Sequence, residues 1–386
     1  MIIKYLFPMC MAAVLLFSIP LNALAQAAQS VEPFKVGTFA VDNTPFVGMV
    51  VRDDTLIVDV AAANRALQLE PGYIQLSIPA DMLGFIEQYE YGLKFRAYEL
   101  MNWLVAEGLL EGNLPAYVMP VEDVDILAPI LYPSKIMNAA VNFYTHACEG
   151  CSPQELAERT RERQVNRGVP YLFLKPTRGA VIGDGDDIIM PFGRDQIEYE
   201  VEMAIVFGKS GKYISASRAY EHVFGYMVAM DISDRGGRPP GGYGLQSDWF
   251  VGKGHDTFAP QGPWIVPKEF FGDPMQRLHQ ITVIDGVTVQ EAQAGDMIHN
   301  IPELIEYASS LITVFPGDVL QSGTSGGTGA GRVERASGSG FLVDGEIIEA
   351  SIQGIGTLRH RVVAEQGVPA DLSGSQLPPT STYRDR

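Results

Sequence analysis

The stretch Ile197-Glu198-Tyr199-Glu200-Val201-Glu202-Met203-Ala204-Ile205-Val206-Phe207 decides how this chain is read. Side chains on a strand alternate between faces. Tyr199, Val201 and Met203 therefore point one way, and Glu198, Glu200 and Glu202 the other. Carboxylates two residues apart on one face repel when unpaired and can share a cation. A strand with a solvated acidic face would show the same pattern, so this stretch alone leaves both readings open. Further on, Phe224 to Met230 is almost wholly apolar and ends at Asp231. An acid at the mouth of a buried strand needs a partner, because an unpaired buried charge is costly. Glu200, Glu202 and Asp231 thus form a candidate all-oxygen site for one divalent metal ion. No cysteine stands near it and no histidine has metal-ligand spacing. Such donors suit Mg²⁺, with Mn²⁺ or Ca²⁺ as alternatives, over Zn²⁺.

Around these strands the pattern stays β-rich. Strands are expected at 136–143, 171–174, 180–182, 280–284, 318–322, 340–343, 346–353 and 356–363, with Asp344-Gly345 as a hairpin turn between 340–343 and 346–353. Ser152, Pro153 and Glu155 have the spacing of an N-cap, first turn and capping box, so a helix should run from 153 to 164. A second helix should cover 301–311, started by Pro302, with Leu304, Ile305, Ala308 and Leu311 on one face. Another should run at about 215–222. Before 130 the chain alternates over 35–60 and then turns helical over 80–108. The reading is a small N-terminal α/β domain over 31–130 and a larger β-rich α+β domain over 136–365. Residues 366–386, with Gly, Ser and Pro-Pro, look like a disordered tail.

The bulk numbers bound the function. The chain has 386 residues, 46% of them hydrophobic and 19% charged, which fits a globular protein with a real core. Forty glycines and 25 prolines fit many turns. A formal charge of −18 argues against a nucleic-acid partner, because phosphate contacts need Lys and Arg. Residues 1–25 carry Lys4, an apolar run from Met9 to Ile19, and the small-x-small sequence Ala23-Leu24-Ala25. This is the layout of a cleavable signal peptide, so cleavage after Ala25 and export to a periplasm are expected. The apolar run falls short of the ~20 residues of a membrane-spanning helix, so no stable membrane insertion is expected after cleavage. Cys148 and Cys151 are then the two cysteines left. In an oxidising compartment their pairing is the expectation, with free thiols as the alternative.

Three further features carry chemistry. His146 precedes Glu149 by three residues, the spacing that puts both on one face of a helical turn. A Glu accepting from one imidazole nitrogen fixes the tautomer and leaves the other nitrogen as a base. A surface ion pair would have the same spacing. Lys253 sits in a glycine-flanked loop, where a lone Lys is ordinarily a solvated charge. Gly323 to Gly331 is a glycine-rich run whose amides could hold a carboxylate, with Thr324 inside it; it lacks the Gly-Lys-Ser/Thr of a phosphate loop.

Seven motifs then occur in one order. They are Tyr199-Glu200-Val201-Glu202-Met203-Ala204; Phe224-Gly225-Tyr226 through Asp231-Ile232-Ser233; Gly252-Lys253-Gly254-His255-Asp256-Thr257-Phe258; Gly262-Pro263-Trp264; Pro316-Gly317-Asp318; Gly323-Thr324-Ser325-Gly326-Gly327; and Gly354-Ile355-Gly356-Thr357-Leu358-Arg359. This set resembles the fumarylacetoacetate hydrolase family over roughly 136–363. The resemblance implies a mixed β-sandwich roll, a homodimer, and one divalent ion on Glu200, Glu202 and Asp231. It implies that His146 and Glu149 lie on a lid and activate water, and that Lys253 polarises a carbonyl or stabilises an enolate. Phe143 stands where many members have Tyr. Fumarylacetoacetases themselves have a further metal-binding Asp upstream of the His; the nearest counterpart here, Asn142, is not taken as a ligand. Glu198 shares the acidic face but matches no ligand position.

The function expected from this resemblance is metal-dependent hydrolysis of a carbon–carbon bond in a β-diketone or acylpyruvate-type 2-oxo acid. The assigned catalytic residues are His146, Glu149 and Lys253, with Gly323, Thr324 and Lys253 on the substrate. The alternatives are decarboxylation, tautomerisation or hydration of a 2-oxo acid on the same metal site. A non-catalytic periplasmic 2-oxo acid binding protein is the alternative from a different class.

Overall fold

The computed structural model describes residues 29–236, 248–331 and 335–367 of the chain. The expected leader, 1–25, and the tail from 368 onward lie outside these residues.

A twelve-stranded mixed sheet organises the molecule. Its main path runs Val118–Pro120, Leu56–Asp59, Thr44–Val51, Lys35–Val41, Ala259–Pro267, Val223–Met230, Val201–Phe207, Val319–Gln321, Ile136–Ala139, Leu172–Lys175. The central strands are buried on both faces, which is why Val223–Met230 reads as a continuous apolar run rather than an alternating one. Val201, Met203 and Ile205 enter one core; Ala204 and Val206 enter the other. The first core lies toward a five-stranded sheet ordered Val287–Gln293, His279–Ile284, Ile347–Ile352, Gly356–Ala364, Ile188–Met190. The second is closed by the helices Val60–Leu67, Met82–Gln88 and Lys94–Ala106. Val36 pairs with Ile265, so the N-terminal strands extend the same sheet. The architecture is the β-rich α+β class expected, with two sheets enclosing a core.

The capped helices form as their sequences dictate. Ser152 and Glu155 close a capping box at Pro153–Val165, and Asn300 and Glu303 close one at Ile301–Leu311. Leu304, Ile305 and Ala308 are buried, but Leu311, at the last turn, is exposed. The 80–108 helix is broken. A π-type turn at Tyr89–Leu93 contains Gly92 at φ 133, which only glycine adopts readily.

Two strand expectations change. No strand forms at 340–343. Leu342 N–H instead donates to Ile197 O, and the hairpin partner of Ile347–Ile352 is Gly356–Ala364. Asp344-Gly345 docks on that strand through Gly345 N–H to Val362 O. The 197–207 stretch is also interrupted. Ile197–Glu198 pairs with Ser233–Asp234 as a separate two-stranded ribbon, and regular pairing resumes at Val201. The break lies at Tyr199-Glu200, beside the acidic site.

Candidate metal centre and its lid

The interruption turns the acidic stretch around the end of its neighbour. Asp231 follows the last residue of Val223–Met230, and its N–H donates to Glu200 O at 2.9 Å. Glu202 sits two pairs along, opposite Ala229. Glu200, Glu202 and Asp231 are all buried, and one carboxylate oxygen from each lies within 4.8 Å of the others. The strand ends thus converge the carboxylates that the sequence singles out.

Three cations offset part of this charge. Lys253 Nζ donates to Asp231 Oδ2 at 2.5 Å, Ser233 Oγ at 2.6 Å and Glu200 Oε2 at 3.2 Å. It is the last residue of a short helix, Trp249–Lys253, rather than part of a free loop. Its own burial favours the neutral form, but the charges of Asp231 and Glu200 outweigh this and hold it protonated. Lys175, fully buried, bonds Asp231 Oδ1 and donates to Ile232 O at 2.8 Å. Burial pulls its pKa down despite Asp231. Arg235 spans Glu198 and Glu200. Burial alone would raise the Glu200 pKa, yet Lys253 and Arg235 hold it well below the usual carboxylate range.

Glu202 is the exception. It accepts from Gly323 N–H at 2.6 Å, and no cationic side chain pairs with it directly among the described residues. Burial, then the charges of Asp231 and Glu200, push its carboxyl well above the ordinary range. Three buried, mutually repelling oxygen donors, one lacking a cationic partner, are a donor set that fits a hard divalent cation.

The dyad lies on a different kind of element. His146–Cys148 is a single 3₁₀ turn, and His146 Nδ1 is 3.0 Å from Glu149 Oε1. Among the described residues, Nε2 has no protein partner. Burial would lower the His146 pKa, but the Glu149 bond and the charges of Glu200, Glu149 and Glu198 raise it overall. Glu149 also accepts from Gly327 N–H and from Thr328 Oγ1, both at 3.2 Å. Gly327 can serve because its φ is 96 and a Cβ there would meet Val289 O at 1.9 Å. Thr145 Oγ1 accepts from Gly326 N–H at 3.0 Å. The turn is therefore docked on the glycine-rich loop. Cys148 and Cys151 form a disulfide across Glu149.

Other expected residues fall as follows. Gly323 is engaged with Glu202. Thr324 Oγ1 accepts from Gln290 Nε2 at 2.9 Å, which leaves its own hydroxyl proton to donate. Asn142 donates to His299 O and Ser322 O and accepts from His299 N–H, so it fastens the strand leading to the dyad. Lys175, Ser233 and Arg235 were not singled out by sequence reasoning. Lys175 had a weak signal, a lone cation closing the apolar run Leu172-Phe173-Leu174. Arg235 had none, because its partners lie 35 and 37 residues upstream.

Comparison with known proteins identifies the family. The profile for the fumarylacetoacetate (FAA) hydrolase C-terminal region matches residues 135–363. The chain is 34% identical over 334 residues to oxaloacetate tautomerase YisK of Bacillus subtilis (strain 168), covering 85% of this chain and 99% of that protein. It resembles the crystal structure of maleylpyruvate hydrolase from Sphingobium sp. SYK-6 in complex with manganese(II) and pyruvate. That match has a TM-score of 0.60 and 26% identity, and covers 86% of this chain and 100% of the other. It also resembles 5-carboxymethyl-2-hydroxymuconate delta-isomerase from Mycobacterium smegmatis, with a TM-score of 0.58, 27% identity and the same coverage. The seven ordered motifs, the converging carboxylates and these matches together place the chain in the fumarylacetoacetate hydrolase family.

Proposed function

We propose that the protein is a divalent-metal-dependent enzyme of 2-oxo acids that hydrolyses a carbon–carbon bond in an acylpyruvate-type substrate. The observation that carries this reading is a carboxylate triad next to an imidazole with one nitrogen tied to Glu149 and the other free. A divalent cation on Glu200, Glu202 and Asp231, with Mg²⁺ as the first choice, would supply Lewis acidity to a chelating 2-oxo-carboxylate. Thr324 donates its hydroxyl proton to the substrate carboxylate. His146, neutral and oriented by Glu149, takes a proton from water, and the resulting hydroxide attacks the distal carbonyl. The bond between that carbonyl and the methylene carbon breaks. Lys253 holds positive charge where the departing enolate develops negative charge. His146 then returns the proton to the enolate carbon, giving a carboxylic acid and a pyruvate-type acid.

A second reading is favoured by the similarity to the B. subtilis oxaloacetate tautomerase along nearly that protein's whole length. In it, His146 carries a proton between the carbon and oxygen of a 2-oxo acid, and no water is consumed. Export with cleavage after Ala25 and a homodimer remain part of the proposal.

The test uses metal-stripped protein with acylpyruvates and oxaloacetate, before and after adding Mg²⁺ or Mn²⁺. Hydrolysis gives metal-dependent loss of enol absorbance with equal amounts of the two acids. Tautomerisation gives faster keto–enol relaxation and no cleavage product. Binding of the acids without either change would overturn both and leave a binding protein.

A further inference from the structure

The metal floor is fixed by strand pairing, but the position of Glu149 is not. The residue leaves the 3₁₀ turn in an extended conformation, at φ −53 and ψ 130, and Gly150 follows at φ 71. Its carboxylate is held by three contacts of 3.0 to 3.2 Å, all in partly buried surroundings. Immediately downstream comes the helix Pro153–Val165, which buries none of its residues. A helix with no fully buried residue anchors the segment before it only weakly. Besides the backbone bonds of the turn, one restraint acts directly across this residue and is covalent: the Cys148–Cys151 bond closes a ring that includes Glu149 and Gly150.

We propose that the Cys148–Cys151 disulfide is a positioning element for the Glu149–His146 dyad, and that its reduction lowers turnover. The inference rests on the proposed role of His146 and Glu149. Reduction takes two electrons and two protons from a dithiol. It breaks the sulfur–sulfur bond, leaves a thiol on each cysteine and converts the dithiol to its own disulfide. Access exists: Cys151 is partly exposed, and Cys148 lines a cleft with Arg159, Glu162 and Arg163. The two guanidinium groups favour an approaching thiolate and a thiolate leaving group. Freed of the ring, Glu149 can swing with the helix and lose the imidazole, while Glu200, Glu202 and Asp231 keep their places in and beside the paired strands.

The experiment compares wild-type protein oxidised, reduced with dithiothreitol and reoxidised, and a Cys148→Ser/Cys151→Ser double variant. Thiols are counted by alkylation and intact mass, and Mn²⁺ affinity is measured in each state. Reduction is expected to lower kcat by between about 10- and 100-fold, the scale of a misplaced catalytic group, with KM and Mn²⁺ affinity little changed. Reoxidation restores kcat, and the double variant matches the reduced enzyme and ignores reductant. Two alkylated thiols with unchanged kcat, or a double variant with wild-type kcat, would overturn the proposal. If no 2-oxo acid turns over in any state, the functional reading fails instead. Hydrogen exchange of residues 145–151 then decides: unchanged protection on reduction overturns the positioning role, and faster exchange supports it.

Discussion

The carboxylate floor that could hold a metal and the His146–Glu149 turn are built differently. Glu202 lies inside the buried strand Val201–Phe207, and Glu200 and Asp231 lie at the ends of this strand and its partner, joined by the Asp231 N–H to Glu200 O bond. The dyad rests on a single 3₁₀ turn, docked on a glycine-rich loop by a few side-chain bonds. A ligand set needs fixed, mutually close donors, which paired strands provide. A proton carrier must meet substrate and release product, which suits a segment with little packing of its own. The comparison predicts that floor substitutions cost both binding and stability, whereas dyad substitutions cost turnover alone.

The largest effect should come from Asp231→Asn. It removes a charged donor and is expected to lower metal-dependent activity by roughly 10³-fold or more, the several kcal/mol that a Lewis acid supplies. Calorimetry should show weakened Mn²⁺ binding; tight binding with normal activity would break the floor assignment. His146→Ala should lower kcat by about 10²- to 10⁴-fold, the range of general base catalysis, with Mn²⁺ affinity intact. Lost metal affinity in that variant would mean that floor and dyad are not separable.

Lys175→Met tests the floor's internal charge pairing. Removing one partner of a buried pair leaves uncompensated charge, so urea unfolding should show a loss of about 3 kcal/mol. Excess Mg²⁺ should recover part of it, because a ligand that binds the folded state alone stabilises that state. An unchanged midpoint would show that Lys253 alone suffices for Asp231. The smallest effect is expected from Glu149→Gln, about 10-fold in kcat/KM at neutral pH. The scale lies below the ~10²-fold of losing the base itself, because His146 remains and loses only its orienting carboxylate. Its sharper readout is the pH profile. Glu149 raises the His146 pKa, and His146 must be neutral to act as a base. Activity should therefore rise with pH through a value above the ordinary histidine pKa in wild type, and at lower pH in the variant. A limb that stays in place would detach Glu149 from His146.

Much of the site was legible from order and spacing. Alternation put Glu200 and Glu202 on one face, and the apolar run of 224–230 pointed to an acid at a strand mouth. The spacing of His146 and Glu149 carried their contact, because both features are local in the chain. The failures were non-local. The expected strand at 340–343 has residues suited to pairing, but Leu342 N–H goes to Ile197 O, and Phe341 and Val343 N–H go to the side chains of Ser339 and Glu346. Gly92 alone could not announce that it would break the 80–108 helix.

What the sequence by itself determined is the family, the three carboxylates and the dyad, since each is written in short motifs with fixed spacing. Only the tertiary structure decided what surrounds them. Lys175 and Arg235 reach the acids from strands and turns 35 to 56 residues away. Among the described residues Glu202 has no cationic side chain bonded to it, and the helix after Cys151 buries none of its residues. The physical reason is that charge compensation and restraint depend on which distant segments meet, and no periodicity along the chain records that meeting.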